Sequence, residues 1–242
     1  MLFAKATQGK GHPMYRGRDV SAFALAVLAS AIARAQAPAA TPPTPPPVLA
    51  IHNVTVIPMA WNTPTQILID NLYGGASLEE VAARPEMKYV PAAVHEQWRK
   101  GAQQFRGADF DAARGLRFVE LRRRLIRELR DAGAGLLLGA DAPQVFNVPG
   151  FATLRELEAL VAAGLTPFEA LQAGTRNPAI ALGVPQSFGT VEVGRRADLL
   201  LLDASPLRDI RNVWKRAGVV LAGRWIPAAE LESRLADYAA GS

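Results

Sequence analysis

Cysteine is absent from all 242 residues, which excludes disulfides, thiolate metal ligands, a cysteine nucleophile and the lipidated cysteine of a bacterial lipoprotein. Histidine is almost as scarce: His12, His52 and His95 are the whole set, and no His-x-His pair occurs. No glycine loop ends in the lysine that would cradle a phosphate, and no Gly-x-Ser-x-Gly elbow is present. Nucleotide and serine-hydrolase chemistries therefore lack sequence support. The apolar run from Ser21 to Ala33 is shorter than the about 20 residues a bilayer span requires, so no stable membrane span is expected. A strong excess of one charge is also missing from most of the chain. The formal charge is +5, but residues 1–37 hold Lys5, Lys10, Arg16, Arg18 and Arg34 against Asp19, which leaves the rest close to balance. Nucleic acid is therefore not an expected partner. The densest basic run, Arg122-Arg123-Arg124 beside Glu120 and Glu128, reads as a solvated helix face with ion pairs at helical spacing.

What is present is an apolar half of the composition, enough for a packed core. The front has the parts of a secretory signal peptide, residues 1–37: basic Arg16 and Arg18, the apolar run, then Ala35-Gln36-Ala37 as a small-x-small cleavage site. Met14 offers a second possible start. The expected location is exported, periplasmic or secreted. Residues 38–47, dominated by proline, form an extended spacer because proline cannot donate to helix or sheet ladders. Val48 to Ile57 is β-branched and closed by Pro58, which predicts a strand, and Ile67-Leu68-Ile69 predicts a second.

Helical signals follow. Ser77 and Glu80 have capping-box spacing, Ala92 to Phe105 reads as helix, and Asp111 to Asp131 places Phe118, Leu121, Leu125, Ile126 and Leu129 at helical intervals until Gly133. Leu136-Leu137-Leu138 between glycines has the continuous apolarity of a parallel strand covered on both faces. Helices are expected from about Ala152 to Ala163, from Thr166-Pro167-Phe168-Glu169 with its cap, proline and closing glutamate, and from Asn177-Pro178. Strands are expected at Thr190 to Val193, Leu199 to Leu202 and Gly218 to Ala222, with a turn at Gly223-Arg224 and a return at Trp225-Ile226.

Asp141, in Leu138-Gly139-Ala140-Asp141-Ala142-Pro143, falls just past the end of the apolar strand, where parallel sheets and barrels gather their reactive groups. A metal ligand or general base fits that position, and so does an aspartate capping the turn at Pro143. Of the other candidates, His52 reads as an ordinary strand residue and His95 as a helix residue with a surface or packing role. The scattered aromatics read as packing, although Tyr73 and Tyr89 flank a region that could border a substrate cleft.

Read together, the segments resemble the end of the amidohydrolase superfamily. They are Leu138 to Asp141, Pro149-Gly150-Phe151, Arg155-Glu156-Leu157, Ala163-Gly164-Leu165-Thr166-Pro167-x-Glu169-Ala170-Leu171, and Thr175-x-Asn177-Pro178-Ala179 with Leu182-Gly183. Phe188-Gly189-Thr190-Val191-x-x-Gly194-x-x-Ala197-Asp198-Leu199, Leu202-Asp203, Asp209 to Asn212, and Val219-Val220-Leu221-x-Gly223-Arg224 resemble the small β-sandwich of imidazolonepropionase-like and Xaa-Pro dipeptidase-like members. The resemblance implies an α/β fold: a (β/α)8 barrel binding one or two divalent cations, zinc foremost, that hydrolyse C-N bonds of small amide or dipeptide substrates. It assigns to Asp141 the metal ligand and proton acceptor after the eighth strand.

The other ligands the resemblance calls for, a His-x-His pair and further histidines or a lysine after middle strands, have no counterpart here. A whole barrel also takes about 250 residues, more than residues 59–186 supply. The expected layout is thus a first sandwich strand at 48–58, a partial barrel of the last two β/α units at 59–186, and the rest of the sandwich at 187–242. The join near Pro58 to Pro64 has the character of an internal deletion or of a misassembled gene model. The expected activity is a metal-dependent hydrolase type, inactive as this chain. The alternative is a non-catalytic remnant or partner-binding exported protein, with oligomers or aggregates formed through open edges.

Overall fold

The computed structural model describes residues 61–107 and 109–240, all of which belong to one unit, Val56–Ser242. The expected leader, spacer and strand at 48–58, with His12 and His52, lie outside the described residues.

The first strand, β1 (Trp61–Asn62), pairs in parallel with β2 (Gly135–Leu136), Trp61 opposite Gly135 and Asn62 opposite Leu136. The Leu137 amide donates to the Asn62 carbonyl at 2.8 Å and carries the ladder one residue on. Glycine at 135 is what lets the indole lie across the strand, since a Cβ there would fall 2.4 Å from the Trp61 ring. The crossover between these parallel strands is helical, as parallel pairing demands: α1 (Gln66–Tyr73), α2 (Leu78–Ala82), a 3-10 turn at Pro85–Tyr89, α3 (Ala92–Phe105) and α4 (Ala112–Asp131).

Ile67-Leu68-Ile69 is therefore helix and not strand. Its β-branched residues favour a strand locally, but Ile67 buries with Ala140, Ala152 and Ala159, and this tertiary context overrides propensity. The helices from Ser77 onward match their signals. Ser77 and Glu80 form a complete capping box, and Asp111 caps α4 by accepting from the Arg114 amide at 2.9 Å. The basic run of α4 is not a uniformly solvated face. Arg122 donates to the Pro64 carbonyl and Arg123 pairs with Asp70 at 3.4 Å, while Arg124 alone pairs along the helix, with Glu128 at 3.5 Å.

After β2 come α5 (Phe151–Ala162), α6 (Pro167–Gly174) and α7 (Arg176–Ala181). Leu136, Leu157, Leu160, Leu165 and Ala173 close one core with Ile126 of α4. An antiparallel meander follows, β3 (Leu199–Leu202), β4 (Arg216–Leu221) and β5 (Arg224–Pro227), in the order β3-β4-β5. The β4–β5 turn puts Ala222 and Gly223 at positive φ, 49° and 82°, the handedness that matches strand twist in a tight hairpin. A 3-10 turn, Ile210–Trp214, inserts Ile210 and Val213 into the core of α5, and α8 (Ala228–Ala240), for which the sequence reading held no expectation, ends the described chain. The expected strand at Thr190 to Val193 does not form. That stretch has no pairing strand among the described residues, Gly189 and Gly194 turn at positive φ, and Val191 and Val193 stand in solvent.

Candidate functional site at the end of the second strand

Beyond β2 the chain runs through Gly139, where a Cβ would fall 2.5 Å from the Thr63 methyl, to Asp141. Asp141 is exposed, has φ 51°, and its carboxylate accepts from the Gln144 amide. The following loop folds back, burying Phe146 and Asn147. Asn147 fixes the carbonyl next to Asp141: its Nδ2 donates to Ala140 O at 2.6 Å, and its Oδ1 accepts from Asn71 Nδ2 at 2.8 Å. Asn71, also fully buried, accepts in turn from Arg84 Nη1 at 2.8 Å. This chain of buried polar groups ties α1 and the segment after α2 to the end of β2. Sequence reasoning missed it. The one visible signal was a lone amide in the apolar stretch Val145-Phe146-Asn147-Val148.

Glu156 of α5, part of the Arg155-Glu156-Leu157 motif, is a further buried polar group beside this loop. It is fully buried, and its two oxygens accept from the Gln66 and Ile67 amides at 2.9 and 2.6 Å. Those are first-turn amides of α1. The residue before them, Thr65, is left-handed and offers no side-chain cap, so Glu156 supplies the cap from a distant helix. Burial pushes its carboxyl up to about 7, against the two amides and the Arg122 charge, which favour the ionised form.

A divalent cation of the kind the resemblance implies needs about three protein ligands. Among the described residues no three His, Cys, Asp or Glu side chains converge. Asp141 has a glutamine beside it, not a histidine. His95 turns its ring edge to Phe146, centroids 6.4 Å apart, with Nε2 buried and unpartnered among the described residues; it packs and does not join Asp141. The described residues thus do not fit the ion by themselves. Of the two tyrosines, Tyr73 packs edge-on to Phe105 and Phe118, each at 5.0 Å. Tyr89 lines a cleft whose walls do not include Asp141.

Comparison with known proteins agrees with the resemblance. The amidohydrolase family pattern matches residues 81–226, more than half the chain. The imidazolonepropionase of Maricaulis maris (strain MCS10) is 36% identical over 104 residues, 41% of this chain and 26% of that protein. The ochratoxinase of Aspergillus niger is 35% identical over 96 residues, 35% of this chain and 19% of that protein. The solved bottromycin amidohydrolase superposes with a TM-score of 0.59 at 23% identity, over 75% of this chain and 40% of its own, a likeness of fold. The matched segments span about a quarter or less of the two curated relatives. The mixed α/β architecture and the family match lead to one statement: this chain belongs to the amidohydrolase family.

Proposed function

We propose that this chain carries the proton-handling end of a metal-dependent amidohydrolase site, with Asp141 as its share of the chemistry, and that by itself it has negligible hydrolase activity. The observation that carries the reading is Asp141 standing exposed past a parallel strand, where a carboxylate can accept a proton, with no converging ligand set among the described residues. In this reading β1 and β2 with their helices are the last two units of a (β/α)8 barrel. The β3–β5 meander is the C-terminal part of a β-sandwich whose first strand is 48–58. The substrate class is a C-N bond in a cyclic amide or dipeptide, in keeping with the family and with an imidazolonepropionase among the relatives. Zinc is the metal the family reading favours, and residues outside this chain's described part would have to supply its other ligands.

The test is direct. The purified chain is loaded with zinc, its metal content measured, and an imidazolone and an Xaa-Pro dipeptide offered as substrates. Substoichiometric metal and no turnover are expected; stoichiometric zinc with turnover that Asp141→Asn abolishes would overturn the reading. Residues 1–37 act as an export leader in the same proposal, supported by Arg16, Arg18, the apolar run and Ala35-Gln36-Ala37. A mature chain beginning at residue 38 in the periplasmic or secreted fraction is the expected product of expression, and an uncut cytoplasmic chain would contradict it.

A further inference from the structure

A cleft of about 460 Å3 lies where α5 meets the 3-10 turns Pro85–Tyr89 and Ile210–Trp214, within the size range of small-molecule sites. One wall is a ladder of rings. Tyr89 stacks on Phe151 with centroids 5.2 Å apart and planes 18° apart, and Phe151 stacks on Trp214 at 6.3 Å and 29°. All three rings remain half-buried, neither sealed in the core nor free in solvent. They are also held in place. Trp214 Nε1 donates to Glu158 at 2.5 Å, and the Arg155 guanidinium stands 5.3 Å over the indole while two hydrogen bonds lock it to the buried Glu86 carboxylate. A wall whose apolar faces are fixed before anything arrives costs little further ordering on binding.

The charges around the wall decide what it would take. Glu86 is matched by Arg155, and Glu158 accepts from the indole N–H at the Trp214 end of the wall, where it keeps its negative charge. Arg211 at the rim is paired with Asp209 at 2.7 Å. Lys88 stands 5.0 Å over the Tyr89 ring, and no carboxylate reaches its ammonium among the described residues. At the Tyr89 end of the wall a cationic group is disfavoured, because the Lys88 ammonium already stands there. An aliphatic acid would meet Lys88 but leave the ring wall uncovered. A flat aromatic acid satisfies both.

We infer that this cleft is a binding site for a planar aromatic carboxylate, its ring laid along Tyr89, Phe151 and Trp214 and its carboxylate meeting Lys88. The site is independent of the chemistry at Asp141, whose failure or success leaves it untouched.

The experiment is calorimetric titration of the full chain with three probes of one ring system: indole-3-acetate, indole-3-acetamide and tryptamine. The acetate binds tightest, the amide roughly three- to tenfold more weakly for want of the ion pair, and the amine weakest. Added salt narrows the gap between acetate and amide. Lys88→Gln removes the acetate's advantage and leaves the amide unchanged. Trp214→Leu weakens both, with circular dichroism confirming that the fold survives. Because Lys88 is an exposed side chain, its variant decides the matter even if the Trp214 variant misfolds. Equal binding of acetate and tryptamine, no detectable acetate binding, or acetate binding indifferent to Lys88→Gln would each overturn the assignment.

Discussion

Two buried amides end on the Glu156 carboxylate, and nothing else in the described chain caps that end of α1. Glu156→Ala orphans both amides and leaves a cavity. Each orphaned group costs about 1–3 kcal/mol, so a loss of roughly 3 kcal/mol or more in urea unfolding is expected. The pH dependence has a definite sign. The folded-state pKa is raised from 4.5 to about 7 by burial, so the folded chain binds this proton more tightly than the unfolded chain. Its contribution is complete below about pH 4.5 and is lost as pH rises through about 7. Unfolding midpoints should therefore fall between pH 5 and pH 8, and Glu156→Gln should remove that part of the slope; a midpoint rising over the same interval at this site would contradict the burial argument. Asn147 poses a different question, since its amide touches a backbone carbonyl and a second buried amide. Asn147→Ala leaves Ala140 O and Asn71 Nδ2 without those partners. About 2 kcal/mol of stability should go with them, and amide exchange should quicken selectively across residues 140–149, the loop that presents Asp141.

At the scale of elements, the contrast is between signals closed locally and those closed across the fold. Ser77 with Glu80 and Thr166 with Glu169 are three residues apart, and each box forms as its spacing implies. α1 carries no such local sign. Its N-terminus is closed by Glu156, about ninety positions on, and its C-terminal end by Arg106, which donates to the carbonyls of Leu72 at 2.7 Å, Ala76 at 3.0 Å, Asn71 at 3.1 Å and Gly74 at 3.3 Å. Where Glu156 is ionised, above about pH 7, an anion at one end and a cation at the other oppose the helix dipole in the favourable sense. A segment held this way reads as a strand when only Ile67-Leu68-Ile69 is consulted. The candidate site divides along the same line. Asp141 was legible because its place after an apolar strand is a local fact, whereas the Asn71–Asn147 bond joins residues 76 apart. The four-carbonyl clamp gives a further prediction. Arg106→Lys keeps the charge but cannot reproduce the planar fork. It should lose about 1–2 kcal/mol, with faster exchange confined to residues 66–76.

The whole molecule leaves apolar surface that its described parts do not cover. On α4, Val119 and Ile126 face the core, while Leu121 and Leu125 lie on the opposite side, each 43% exposed. In the meander Leu200, Leu201, Leu221 and Trp225 are exposed as well, and β3 and β5 are edges without a further partner among the described residues. Unpaired edges and paired exposed leucines both favour association. Light scattering after size exclusion should accordingly give a mass above the 25.9 kDa of one chain, rising with concentration. Two variants separate the sources. Leu121→Glu with Leu125→Glu should restore the monomer if the α4 stripe joins the copies, and Leu200→Lys should do so if the β3 edge is used. A wild-type chain that stays monomeric at high concentration and binds no apolar dye would mean that these surfaces are already covered within the chain, and would count against the open-edged barrel fragment proposed above.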